Sequence, residues 1–148
     1  MNILSILPQR PPFLFVDRVI TTDGNKITTE RLLREEEDFF KGHFPEIPIM
    51  PGVLLLENMF QSGALLIAND LTDEQKKNKI GVVTRVDKTK FKRPCRPGDL
   101  LITEVELIEH FDYKFSFKGQ VSVLGTISAT AHFSCSLIDK NLIKVGKN

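Results

Sequence analysis

Two side chains in this sequence, His43 and Glu57, are placed to move protons. His43 lies in FFKGHFPEIPIMPG, residues 39–52. Three prolines and two glycines there predict a stiff, irregular loop. Glu57 lies in an apolar run, Val53 to Ala68, whose leucines and isoleucines predict a buried helix. Burial disfavours a carboxylate, so Glu57 is expected to hold its proton to higher pH than a solvated glutamate. A histidine base and a protonable carboxylate together suit a reaction that takes a proton from one atom and gives one to another. Gln61, one helical turn after Glu57, can hold that carboxylate or a substrate oxygen.

The start of the helix is the third chemical feature. Pro51 is expected to open it, since its missing N–H costs nothing in a first turn. The first N–H groups of a helix have no internal partner and carry the positive end of its dipole. Gly52 and Val53 therefore offer donors to a developing oxyanion, and Gly52 lets a ligand approach the backbone closely.

These groups need a scaffold. Phe15 to Thr21 and Lys26 to Leu33 read as strands joined by a tight turn at Asp23-Gly24-Asn25. Arg34 to Asp38 reads as a charged surface connection. The helix is expected to end near Asn69, with a short polar helix and turn to Asn78. Ile80 to Arg93 reads as a long, bulged strand and Pro94 to Asp99 as a turn. Leu100 to Glu109 and Tyr113 to Val123 follow as strands around a turn at His110 to Asp112. Leu124-Gly125 suits a two-residue hairpin turn. The last strand alternates cleanly. Ile127, Ala129, Ala131, Phe133, Cys135 and Leu137 form a core face, and Ser128, Thr130, His132, Ser134 and Ser136 a face toward solvent or a partner. The expected class is α+β, with an antiparallel sheet of about six strands around one helix.

With 148 residues the chain suits a single domain, 1–148. A formal net charge of +1 argues against a nucleic-acid binder that works by bulk charge. Cys95 and Cys135 form no CxxC pair, and with three histidines in the chain no metal-ligand cluster is visible, so reduced thiols and no metal are expected. The N-terminal residues lack the pattern of a signal peptide. The apolar run is interrupted at Glu57, Asn58 and Gln61 and is shorter than the ~20 residues of a membrane span, so no membrane insertion is expected.

Gly42-His43-Phe44-Pro45, then Pro48-Ile49-Met50-Pro51-Gly52-Val53, Glu57 and Gln61, resemble the signature of FabZ-type 3-hydroxyacyl-[acyl carrier protein] dehydratases. Leu7-Pro8, Arg10, Pro12-Phe13-Leu14 and Val16-Asp17-Arg18 resemble that family's opening segment. Phe91-Lys92-Arg93-Pro94 and Pro97-Gly98-Asp99 resemble its later strand and turn. The resemblance spans nearly the whole chain, and the fourteen-residue separation of Glu57 from His43 matches the family's spacing. A glutamate at 57 points to this branch rather than to the related dehydratase that also isomerises the double bond.

The resemblance implies a hot-dog fold and cofactor-free dehydration of a (3R)-3-hydroxyacyl-[acyl carrier protein] to the trans-2-enoyl product in cytoplasmic fatty acid biosynthesis. It implies a homodimer with two shared sites, His43 of one subunit facing Glu57 of the other, and further assembly into a trimer of dimers. His43 would take the Cα proton, Gly52 with Val53 would hold the carbonyl charge, and Glu57 would help water leave. The Ile49 carbonyl would orient the His43 ring. Departures bear on specificity. Gln9-Arg10-Pro11 stands where the family often has His-Arg-Tyr. Phe60 stands where a small residue is usual, and is expected to shorten or redirect the acyl tunnel. Gly81-Val82-Val83-Thr84 lacks an aromatic that could gate it. Lys88, Lys90 and Lys92 alternate on a strand, with Arg93 and Arg96 beyond, and form a candidate docking face for an acidic carrier protein; the competing reading is lysines that protect a sheet edge. His110 and His132 read as surface residues. The other functions considered are a non-catalytic hot-dog partner subunit and a hot-dog acyl thioesterase.

Overall fold

A computed structural model describes residues 1–144. Six strands make one antiparallel sheet: β1 (Arg18–Asp23), β2 (Lys26–Leu32), β3 (Lys79–Phe91), β4 (Leu100–Phe111), β5 (Lys114–Val123) and β6 (Thr126–Asp139). Their spatial order is β1-β2-β4-β5-β6-β3, which leaves β1 and β3 as edges. Among the described residues four α-helices accompany them: α1 (Ile3–Ile6), α2 (Asp38–Gly42), α3 (Gly52–Ile67) and α4 (Asp73–Asn78). The 16-residue α3 lies against β2, β3, β4, β5 and β6, so the sheet wraps it as the hot-dog reading requires. Met59 and Leu65 of α3 are fully enclosed with Phe117, Val121, Ala129 and Phe133 from the sheet.

The turns behave as their sequences predict. Gly24 takes φ +60° between β1 and β2, and Leu124 and Gly125 take +50° and +78° between β5 and β6. The β4–β5 turn is displaced. β4 continues to Phe111, and the turn falls at Asp112-Tyr113, where Asp112 adopts φ +57°. His110, expected in that turn, stays in the strand and stacks on Phe115 with centroids 4.1 Å apart. β3 carries two irregularities, after Val83 and after Asp87, and Lys88 takes φ +47° at the second.

Several boundaries differ for identifiable reasons. The first strand begins at Arg18, not Phe15. The Phe15 N–H donates to Gln61 Oε1 (2.8 Å) and its carbonyl accepts from Asn58 Nδ2 (2.6 Å), so α3 takes the groups a sheet partner would use. The stretch expected to be loop from residue 39 begins with the one-turn α2. The enclosed Phe40 anchors that turn, and Glu37 just before it grips Arg31 through both carboxylate oxygens. Pro51 caps α3 rather than lying inside it, with ψ 134°, which makes Gly52 the first helical residue. The helix ends at Ile67 and a 3₁₀ turn, Ala68–Asp70, follows. On β6, Ser128 and Ser134 are buried although they lie on the polar face. The chain folds back so that the Lys92 and Arg93 N–H groups reach the Ser128 carbonyl, and the Ser134 hydroxyl pairs with that of Ser116. No helix among the described residues is long and apolar enough to cross a membrane.

Candidate active site

The His43 loop is tied by its own backbone. Phe44 and Ile47 exchange N–H to carbonyl bonds (3.2 and 3.1 Å), and the Ile49 N–H donates to the His43 carbonyl (2.9 Å). The Met50 N–H donates to the Cys95 carbonyl (2.8 Å), so the PCRPGD turn holds the loop against the body of the protein. The half-buried His43 ring stacks on Phe44, and its Nδ1 lies 3.0 Å from the Ile49 carbonyl oxygen. A carbonyl can only accept, so Nδ1 carries a proton, and in the neutral ring Nε2 is then the nitrogen with the free lone pair. That is the tautomer a general base needs.

At the start of α3, the Leu54 and Leu55 N–H groups turn back to the Pro51 carbonyl (2.9 and 3.3 Å). Those of Gly52 and Val53 find no acceptor among the described residues. Val53 is exposed. The Phe91 ring lies where a Gly52 side chain would be, 2.8 Å from an ideal Cβ, so only glycine fits here without moving that ring. This close approach keeps the helix terminus open on one side and shielded by an aromatic face on the other.

Glu57 projects from α3 one and a half turns later and is half-buried. Burial raises its carboxyl above the ordinary glutamate range, and a hydrogen bond from Gln61 partly offsets the rise. Gln61 is enclosed and fully committed. Its Nε2 donates to Glu57 Oε2 (2.9 Å) and to the Phe13 carbonyl (3.0 Å), while its Oε1 accepts from Phe15. Of the two uses expected for Gln61, the geometry supplies the first, holding the carboxylate, and leaves no spare donor for a substrate oxygen.

Glu57 opens into a groove of about 550 Å³ that follows α3 through Phe60, Ala64, Ile67 and Ala68. β3 contributes Ile80, Gly81 and Val83, β6 contributes Phe133, Cys135 and Leu137, and α1 with the following Leu7 to Arg10 closes one side. Phe60 meets Phe133 edge-on, with centroids 4.9 Å apart. Burial pushes the Cys135 thiol up to about 11, so it stays neutral and suits an apolar wall. His43 does not line this groove. The chain thus places the Glu57 carboxyl and the His43 imidazole on separate surfaces.

The basic run divides. Lys88, Lys90 and Lys92 line a shallow concavity of about 440 Å³ on the outer face of the sheet, with Lys26, Lys118 and His132, opposite Glu104 and Glu106. Arg93 and Arg96 instead flank Cys95, in the turn that holds the His43 loop. Sequence reasoning missed the Leu4–Arg10 wall, because a four-residue helix has no periodicity to read. It also missed Asn58, which is enclosed and links the Phe15 carbonyl to Thr103 Oγ1 (2.5 Å). The signal was present, since a polar residue inside an apolar helix implies a buried partner.

A FabA-like domain model matches residues 7–132. The 3-hydroxyacyl-[acyl-carrier-protein] dehydratase FabZ of Oceanobacillus iheyensis is 40% identical over 137 residues, covering 92% of this chain and 96% of that protein. The protein of the same name from Petrotoga mobilis is 43% identical over 130 residues, covering 88% and 91%. In shape, the chain superposes on the dehydratase heterocomplex ApeI:P of Xenorhabdus doucetiae with a TM-score of 0.77 at 16% identity, over 98% of this chain and 99% of that one. At that identity the likeness establishes the fold, while the relatives in sequence establish the family: the chain belongs to the FabA-like family and, within it, to the FabZ group.

Proposed function

We propose that this protein is a hydro-lyase that dehydrates (3R)-3-hydroxyacyl-[acyl carrier protein] to the trans-2-enoyl thioester in fatty acid biosynthesis. The observation that carries this reading is a protonable carboxyl, Glu57, on the wall of an apolar groove, in a chain 40% identical over 92% of its length to a FabZ. His43 Nε2 takes the proton from Cα. The electron pair moves toward the thioester carbonyl, whose growing charge meets the Gly52 N–H, aided by that of Val53. As the double bond forms, the β-hydroxyl leaves with the Glu57 proton as water, and both residues are reset by proton exchange. The steps break the Cα–H and Cβ–O bonds, form the double bond and release water with no net redox change, and no cofactor or metal is proposed.

The proposed assembly is a homodimer with shared sites. Its support is that the Glu57 groove lacks His43 and that β3 is an open edge with Val83, Val86 and Phe91 exposed. A second copy set against that edge would bring its own His43 loop to the groove. Three such dimers would make a hexamer. A single domain spanning 1–148 and a cytoplasmic location complete the proposal.

The deciding assay offers a ladder of 3-hydroxyacyl chains on carrier protein and follows enoyl formation. Free-thiol release without enoyl product would identify a thioesterase instead. On the same ladder, Phe60→Ala is expected to shift preference toward longer chains more than it lowers the best rate. Its stability cost should fall below the ~3–5 kcal/mol of a fully buried Phe→Ala change, because Phe60 is half-buried. An unchanged length profile with a large fall in melting temperature would make Phe60 a packing residue only.

We also propose that the acidic carrier protein docks on Lys88, Lys90 and Lys92, with Arg93 and Arg96 nearer the His43 loop. Reversing the three exposed lysines to glutamate should cut kcat/KM for carrier-protein substrates about tenfold or more at low salt, and less as salt rises. Turnover of N-acetylcysteamine thioesters should hardly change. Equal loss on both substrates would mean a disturbed sheet, and no loss on either would move docking away from this strand.

A further inference from the structure

We propose that Gln9 binds the β-hydroxyl of the substrate, receiving its hydrogen while Glu57 donates to its oxygen; this rests on the dehydratase reading above. Gln9 lines the Glu57 groove, and its Oε1 is buried with no hydrogen-bond partner in the chain. A buried acceptor left unmet is costly, and a donor brought by a ligand removes that cost. The side chain as a whole is half-exposed, while its oxygen is buried.

The other groove amides and cations leave the same vacancy in the chemistry, and the Ser5 hydroxyl is turned to the Asn2 carbonyl of its own turn. A leaving hydroxyl has two needs: a proton delivered to its oxygen and an acceptor for its own hydrogen. Protonated Glu57 meets the first. Gln61 is enclosed and does not line the groove, and its oxygen already accepts from the Phe15 N–H. The Gln75 oxygen accepts from the Thr72 N–H at the far end. Arg10 and the lysines of the groove only donate. Gln9 is left with an uncommitted side-chain amide oxygen.

Its backbone is held firmly enough to aim it. The Arg10 guanidinium donates to the carbonyls of Leu4 (2.8 Å), Leu7 (2.7 Å) and Gln9 (2.8 Å), which fixes the wall against α1. Beyond it, Gln61 binds Phe13 and Phe15, so the same side chain that holds the carboxyl also holds the segment leading from Gln9. With the hydroxyl gripped at both atoms, water departs carrying its original hydrogen and the Glu57 proton. In the reverse direction the same pair holds the attacking water.

The test compares wild type with Gln9→Leu and Gln9→Met, which keep bulk and lose the acceptor. On 3-hydroxybutyryl-N-acetylcysteamine, kcat/KM is expected to fall about tenfold or more, the order of one unmade hydrogen bond to a buried group. Inhibition by the butyryl analogue, which lacks the hydroxyl, should keep its Ki within about twofold, as no hydrogen bond to it is removed. Melting temperature should stay level or rise, because a buried unpaired oxygen has been removed. A purely structural Gln9 gives the opposite pattern, with lower melting temperature and equal loss for both ligands, and overturns the proposal. Unchanged kcat/KM in either folded variant also overturns it. Wild-type protein that dehydrates no 3-hydroxyacyl thioester at all would instead sink the dehydratase reading.

Discussion

His43→Ala is expected to lower kcat by about 10²- to 10⁴-fold at equal folded fraction, the range that a positioned general base supplies. The loss should appear in kcat more than in KM, because the imidazole meets the Cα proton only as the bond breaks. The fold should survive. The ring is half-buried, its one hydrogen bond is to the Ile49 carbonyl, and the backbone bonds among Phe44, Ile47, Ile49 and Met50 do not involve it. Rates from a stopped assay, with circular dichroism on the same samples, check both halves. Wild-type turnover in the alanine variant would remove His43 from the mechanism.

Mixing His43→Ala with Glu57→Gln is expected to restore activity that neither protein has alone. In a heterodimer with shared sites, one site receives both damaged residues and the other receives both intact ones. Each heterodimer should then recover up to half the turnover of a wild-type dimer, which is a gain of about two or more orders of magnitude over either parent. Subunit exchange must be shown separately, for example with two tags. No recovery despite exchange would place both residues of a site in one chain. The pH profile carries a second check. Burial raises the Glu57 carboxyl, so its acid form persists above the ordinary glutamate range and is lost as pH rises through the raised value. The alkaline fall of kcat that belongs to this group should be absent from the residual activity of Glu57→Gln.

The sequence by itself determined the sheet strands and α3, though not the short α1 and α2. Period-2 alternation along β6, the Gly24 and Leu124-Gly125 turns and the apolar run of α3 each report a local preference, and local preferences survive folding. The motif around His43 and Glu57 was equally legible, because a proline-stiffened loop beside a buried carboxyl is written in consecutive residues. Where reading failed, a distant partner had intervened. The Phe15 backbone bonds to side chains 43 and 46 positions away, so a strand-like segment never joins the sheet there. Of the buried serines of β6, Ser128 meets the chain that leaves β3 and Ser134 pairs with Ser116 of β5. Only the tertiary structure could separate Lys88, Lys90 and Lys92 from Arg93 and Arg96, since a strand face and the turn after it point to different surfaces. It alone set His43 outside the groove of Glu57, and left the Gln9 oxygen without a partner. Those outcomes depend on what packs against each group across long sequence separations, which spacing along one chain does not encode.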